Sequence, residues 1–124
     1  MSKKEIGDYG EKLAQRYLRR RFYRIIETNY KTKHGEIDII AKNRKHLVFC
    51  EVKTRSCTEA LKYFGNPASA VNYKKQQHIL SAVKEYLYFN NTSLNPRIDI
   101  IEVYLDFENR KKYRIEHIEN AFGE

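Results

Sequence analysis

Cysteine is scarce in this chain: Cys50 and Cys57 are the only two, and they form neither a CxxC pair nor a disulfide framework. That excludes a stapled secreted fold and a paired-thiol redox centre, and Cys50 reads as strand core. Long apolar runs are absent too, with none near the roughly 18 residues that cross a bilayer. The opening MSKKEIGDYGEK has no apolar core of a secretion signal. The expectation is a reducing, cytoplasmic setting with no membrane partner. His34, His46, His78 and His117 show no metal-ligand spacing, so no zinc role is expected. No internal repeat or low-complexity segment interrupts the chain, and its length predicts one domain over residues 1–124.

What the chain has in excess is positive charge. It carries 24 Lys and Arg against 16 Asp and Glu, a net charge of +8. A basic balance of this size points towards polyanionic partners, nucleic acid first among them. With 32% charged and 41% apolar residues, the composition is that of a globular protein with a core.

Acids in unexpected places stand out next. Between Gly35 and Arg55 run two apolar segments, GEIDII and HLVFCEVKTR, joined by a polar break. Both read as strands, and the break at Asn43–His46 suits a hairpin. Asp38 lies between two isoleucines, while Glu51 and Lys53 flank Val52. Charges are expensive to bury unless paired or bound to a metal. An even loop sets Ile37 against Val52, Ile39 against Cys50 and Ala41 against Val48, an apolar face. The other face then pairs Glu36 with Lys53, Asp38 with Glu51 and Ile40 with Phe49. An odd loop would scatter charge into the core, so the even register is predicted. Carboxylates directly opposite on two strands lie only about 5 Å apart. A divalent cation would relieve their repulsion, with Lys53 beside it.

Around the hairpin the order is helix, three strands, helix, strand and a short edge strand. Ser2 with Glu5 forms a capping-box pattern, and Ile6, Gly10, Leu13, Ala14, Tyr17 and Leu18 recur at helical spacing over residues 2–21. Glu11 borders that stripe, where a partly solvated helix acid is the ordinary role. Arg19, Arg20 and Arg21 are either a solvated helix end or a phosphate-contacting patch. Residues 23–30 read as the first strand. The segment from Ser56 to Asn66 is a loop, either a connector or a source of substrate contacts. Asn72 is a candidate N-cap for a helix reaching about Phe89, whose first turns hold Lys74, Lys75 and Gln76. Residues 97–105 form a fourth strand, with Asp99 expected to pair with Arg97 or another basic neighbour. Residues 112–118 suit a short edge strand, and Ala121 and Phe122 fold back on the core. Three antiparallel strands followed by a helical crossover make the fourth strand parallel to the third, giving an α/β fold with a mixed sheet.

These residues carry a resemblance. GEIDII followed by FCEVKTR resembles the D…ExK signature of the PD-(D/E)XK nuclease superfamily, whose restriction-endonuclease-like core has this αβββαβ order. Over nearly its whole length the chain resembles the small bacterial YraN-like family, itself similar to archaeal Holliday-junction resolvases. Gly10–Glu11, Ala14, Tyr17–Leu18, Asn29, Phe64–Gly65, Val71, Lys75–Gln76, RIDIIEV and HIENAF carry that match. Arg21–Phe22 and Cys50 depart from the family pattern, which has a glycine-containing turn and a valine there. The resemblance implies Asp38 and Glu51 as ligands of Mg²⁺, with Mn²⁺ as an alternative. It implies Lys53 as the catalytic lysine and Glu11 as an auxiliary acid. Arg19, Arg20, Arg55, Lys74, Lys75 and Gln76 become candidate nucleic-acid contacts. The expected activity is metal-dependent hydrolysis of phosphodiester bonds in DNA, branched DNA included. The alternative is a nucleic-acid-binding module of the same fold without turnover. A homodimer is expected only by analogy with the resolvases.

Overall fold

A computed structural model describes residues 2–56, 71–106, 109 and 112–123. The described elements are α1 (Lys3–Arg20), β1 (Arg24–Lys31), β2 (Glu36–Lys42), β3 (His46–Ser56), α2 (Tyr73–Phe89), β4 (Asn95–Leu105) and β5 (Tyr113–Ile118). The predicted order holds, and the two helices flank one five-stranded sheet.

Helix α1 begins where its sequence says it should. The Ser2 side chain accepts from the Glu5 N–H, and the Glu5 carboxylate accepts from the Ser2 N–H, which satisfies two of the helix's exposed donors. Asn72 does the same for α2 by accepting from the Lys75 N–H. In the β2–β3 turn, Asn43 Oδ1 accepts from the N–H groups of Lys45 and His46, closing a tip at Arg44–Lys45.

Strands lie in the order β1-β2-β3-β4-β5. β1, β2 and β3 are antiparallel neighbours, β3 and β4 are parallel, and β5 returns antiparallel at the edge. The sheet is apolar on both sides. Leu13, Ala14 and Leu18 of α1 pack on Ile39, Ala41, Val48, Cys50, Ile101 and Val103. Ile79, Ala82, Val83 and Tyr86 of α2 pack on Ile37, Ile40, Leu47, Phe49, Ile98 and Ile100. Each such fully buried aliphatic or aromatic side chain contributes about 1.5–3 kcal/mol. Ala121 and Phe122 do fold back against the α2 layer, where the Ala121 N–H donates to the Ile98 carbonyl.

The even register is correct where the strands pair: Ile39 opposes Cys50, Ile40 opposes Phe49 and Ala41 opposes Val48. Two details differ from expectation. The second face is not the charged one, since Ile40 and Phe49 are wholly buried beneath α2. Nor does the pairing continue to Ile37–Val52, Asp38–Glu51 or Glu36–Lys53; Glu36 is partnered by Lys31 of β1 instead. The cause is a local roll of the chain. Ile37 belongs to the α2 layer and Ile39 to the α1 layer, although residues two apart on a regular strand share a face. Across from Asp38, between the pairs Thr28–Ile39 and Tyr30–Ile37, Asn29 adopts the left-handed conformation with φ 52°.

Candidate functional site

Asp38 sits at this roll, so its carboxylate lies at the edge of β2 between the two layers. Its Oδ2 accepts from the Val52 N–H at 2.8 Å, taking the place of a ladder bond. β3 continues past Cys50 to Ser56, paired to β4 throughout but no longer to β2. A cleft of about 580 Å³ opens there, lined by Gly7, Glu11, Asp38, Lys53, Thr54 and Arg55 among others.

Three elements deliver acids to this region. β2 brings Asp38. β3 brings Glu51, which is 5% exposed, with Lys75 Nζ 3.1 Å and Lys53 Nζ 3.8 Å from its Oε1. α1 brings Glu11, whose Oε1 accepts from Asn29 Nδ2 at 3.1 Å. Gly10 explains how α1 comes so close. A Cβ on Gly10 would stand 1.9 Å from Thr54 Oγ1 and 2.9 Å from Thr54 Cβ, so only glycine lets the helix rest on β3 here. Gly35 plays a similar part on the other side, where a Cβ would lie 3.1 Å from the His78 carbonyl oxygen of α2.

The electrostatics are one-sided. Burial pushes the Asp38 carboxyl up to about 7, and the charges of Glu51 and Glu11 add to the rise against the Val52 bond and Lys75. Glu11 is raised as well, chiefly by burial, with the Asn29 bond opposing. Burial works against the Lys75 ammonium, but its pair with Glu51 and the charges of Asp38 and Glu36 outweigh that and raise its pKa. The site therefore disfavours the ionised form of Asp38, through burial first and the neighbouring acids second. Its donors are all oxygens, which suits a hard cation. Among the described residues no group of three His, Cys, Asp or Glu side chains could together hold a metal. Two carboxylates are nevertheless an ordinary protein contribution for Mg²⁺, which keeps waters and takes phosphate oxygens for the rest.

The remaining sequence candidates divide. Arg55 lines the cleft and donates from Nε to Glu102 Oε2 at 3.2 Å. Lys75 reaches Glu51, and Lys74 beside it is exposed. Gln76 is turned inward, its Nε2 donating to the Val71 carbonyl, so it braces the start of α2. Arg19 and Arg20 end α1, roughly 12–14 Å along the helix from Glu11 at 1.5 Å per residue, and form a separate basic patch. The loop running on from Ser56 through Asn66, with Cys57, Phe64 and Gly65, lies outside the described residues.

Sequence reasoning missed two residues here. Asn29 holds Glu11 from a left-handed position in β1, and its sequence signal is a residue tolerant of positive φ inside a strand. Glu102 is fully buried beside Lys53 in register, accepts from Arg55 and from the Tyr104 hydroxyl at 2.6 Å, and leaves Oε1 without a hydrogen-bond partner. Burial and this bond push the Tyr104 hydroxyl up to about 12. An acid within IIEVYL carried the same warning as Asp38 within EIDII. Asp99, by contrast, behaves as expected: Arg97 holds it at 2.9 Å.

Comparison with known sequences places this arrangement. Residues 10–103 match the sequence model described as uncharacterised protein family UPF0102. The chain belongs to UPF0102. A UPF0102 protein of Alkaliphilus oremlandii is 49% identical over 122 residues, covering 96% of this chain and 98% of that one. The UPF0102 protein of Clostridioides difficile is 45% identical over 123 residues, covering 98% and 100%. That of Caldanaerobacter subterraneus subsp. tengcongensis is 44% identical over 123 residues, covering 98% of each. The YraN-like resemblance is thus to UPF0102. The matched span includes Glu11, Asp38, Glu51, Lys53 and Lys75. No described helix is long and apolar enough to cross a membrane.

Proposed function

We propose that this UPF0102 chain is a metal-dependent endonuclease of the PD-(D/E)XK superfamily, hydrolysing phosphodiester bonds in DNA, with branched DNA among its substrates. The observation that carries this is the grouping of Asp38, Glu51, Glu11 and Lys53 where β3 leaves β2, with the Asp38 carboxyl pushed up to about 7 by burial first and by the charges of Glu51 and Glu11 after it. Asp38 and Glu51 would hold Mg²⁺ or Mn²⁺. Bound there, the ion supplies charge for the phosphate and a lowered pKa for an attacking water.

The chain's own groups do the rest. Lys53, already 3.8 Å from Glu51 Oε1, offsets charge growing on the phosphate in the transition state. Glu102 holds the Arg55 guanidinium at the cleft, ready for a backbone phosphate. Lys74 and Lys75 add contacts that read charge and not sequence. Glu11, kept in place by Asn29, closes the acidic side of the cleft. One contact favours a second function. Lys75 Nζ stands 3.1 Å from Glu51 Oε1, already neutralising the acid that a metal would use. A chain that keeps that pair intact would bind nucleic acid without cutting it.

Asp38→Asn separates these outcomes. Wild type should gain thermal stability with Mg²⁺ or Mn²⁺ by mass action, and the variant should not. Wild type should also cleave at least one of branched, flapped, single-stranded or duplex DNA, and the variant none. No ion effect and no cleavage would end the enzyme proposal. Salt-sensitive binding without cleavage would favour the binding module.

A further inference from the structure

Helix α1 ends in a turn that its sequence makes costly. The Tyr23 N–H donates back to the Leu18 carbonyl at 3.0 Å, and the Phe22 N–H donates to the Arg19 carbonyl at 3.1 Å. This is the Schellman closure, in which the residue in Phe22's place takes a left-handed conformation and is usually glycine. Phe22 takes it, with φ 69°. A bulky side chain there is an outlier that strains the backbone.

The side chain returns nothing to the fold. Phe22 is 91% exposed, the most exposed of the large apolar residues described. Position and exposure are thus both unfavourable for a residue serving stability alone. Its surroundings indicate what could compensate. Arg19, Arg20, Arg21 and Arg24 surround it in sequence and are all exposed. The Arg21 guanidinium stacks over the Tyr17 ring at 4.9 Å. Beside Phe22 an open cleft of about 800 Å³ is lined by Arg20, Arg21, Tyr23 and Tyr113. Glu119, also in that cleft, is paired with Arg97 at 3.6 Å.

A projecting aromatic ring among arginines complements a polyanion with flat apolar faces, which is nucleic acid with unpaired bases. Aromatic side chains stack on any exposed base, while the arginines take the phosphates. In a closed duplex those faces are already stacked on each other.

We propose that Phe22 is a base-stacking residue that makes the α1 terminus a binding surface for unpaired or branched nucleic acid. This rests on the nucleic-acid function proposed above and names the substrate feature it selects. From Glu11 to its end at Arg20 the helix spans roughly 13.5 Å at 1.5 Å per residue, about four steps of stacked DNA at 3.4 Å each, and Phe22 follows in the closing turn. One strand can therefore meet both the acid cleft and this ring.

The test is binding without any divalent ion. Fluorescence anisotropy in EDTA compares wild type, Phe22→Gly and Phe22→Trp on a labelled single strand, a splayed fork and a fully paired duplex. Phe22→Gly should melt a few degrees higher, because glycine takes the turn without strain. It should bind the single strand and fork about 5- to 100-fold more weakly and the duplex equally well. Phe22→Trp should retain wild-type preference. Equal single-strand affinity in wild type and Phe22→Gly overturns the proposal while leaving the nuclease reading standing. Loss of a wild-type dimer in Phe22→Gly by light scattering, with DNA affinity unchanged, assigns the ring to self-association and also overturns it. A wild type that binds no nucleic acid removes this proposal and the proposed function together.

Discussion

Two aspartates lie on the strands either side of Cys50, Asp99 directly opposite it on β4 and Asp38 one residue before its β2 partner Ile39, and the chain treats them in opposite ways. Asp99 has no exposure and is surrounded by donors. Arg97 donates to both its oxygens, His117 Nε2 lies 2.6 Å from Oδ2, and the Asn120 N–H donates to Oδ1. Behind them, the Tyr17 hydroxyl lies 3.1 Å from His117 Nδ1, and Arg97 donates to the Tyr23 hydroxyl at 2.7 Å. Burial opposes the Asp99 charge, but the bonds from His117, Arg97 and Asn120 prevail and hold its carboxyl below the usual range. Asp38 has one backbone bond against its burial and two neighbouring acids, and its carboxyl rises to about 7. A satisfied buried charge ties elements together: Asp99 joins α1, β4 and β5. An unsatisfied one holds free energy that a ligand can release. The difference separates structure from candidate site more sharply than burial does.

Asp99→Ala should therefore have the largest effect on folding. Removing one partner leaves Arg97 and His117 facing a buried gap, and the expected loss is about 3–5 kcal/mol by urea denaturation. A loss below about 1 kcal/mol would break the comparison, since it would mean that the network contributes little. The pH dependence follows from the lowered pKa. Asp99's contribution is present above its unfolded value near 3.8 and is lost as pH falls through the lower folded one.

Asp38→Asn should move stability the other way. Its folded pKa lies above the unfolded 3.8, so the native state holds a proton that the unfolded chain has released. Asp38's favourable contribution is complete below pH 3.8 and is lost as pH rises through about 7. Asparagine still accepts the Val52 N–H and carries no charge. At pH 8 without metal the variant should be more stable by on the order of 2 kcal/mol, and the decline from pH 4 to 7 should flatten. An unchanged pH profile would show that Asp38 is already neutralised.

Much of this contrast was legible in the residues. Alternation and an even loop placed Ile39, Ile40 and Ala41 against their partners, because a one-residue slip would have buried charge. Asp99 sits two residues from Arg97, close enough for the ion pair to be expected. His117 was not legible, because it comes 18 residues later and reaches Asp99 only through the β4–β5 pairing. The exact opposition of Asp38 and Glu51 was overstated for a related reason. Period-two reasoning assumes a regular strand, and the roll at Asn29 and Asp38 depends on a backbone conformation that side-chain pattern does not report.

Gly10→Ala tests how far the acid cleft depends on close packing. The added methyl would meet Thr54 Oγ1 at 1.9 Å and both Thr54 Cβ and Cγ2 at 2.9 Å. Rotating a β-branched side chain does not clear its own Cβ, so α1 must shift. The expected cost is about 1–2 kcal/mol in denaturant. Glu11 would move away from Asp38, and any ion-dependent stabilisation should weaken. Gly7, with open space around it, is the control, and its alanine variant should show no loss.

Asn29 gives the smallest and most selective test. At φ 52° it permits the roll opposite Asp38, and its side chain donates to Glu11, so it has a backbone role and a polar one. Asn29→Gly keeps the first and removes the second. Asn29→Ala removes both, and the left-handed backbone should cost that variant about 1 kcal/mol beyond glycine. The exposed bond itself should alter stability by no more than about 0.5 kcal/mol, so denaturation alone would barely register the glycine variant. The titration of Glu11 should register it. Burial raises that carboxyl and the Asn29 bond lowers it, so losing the bond must raise it further. Carboxyl-carbon NMR on Asn29→Gly should follow that rise. If Glu11 titrates unchanged, the two residues are neighbours without a working bond. Glu11 would then stand beside the cleft by virtue of Gly10 alone.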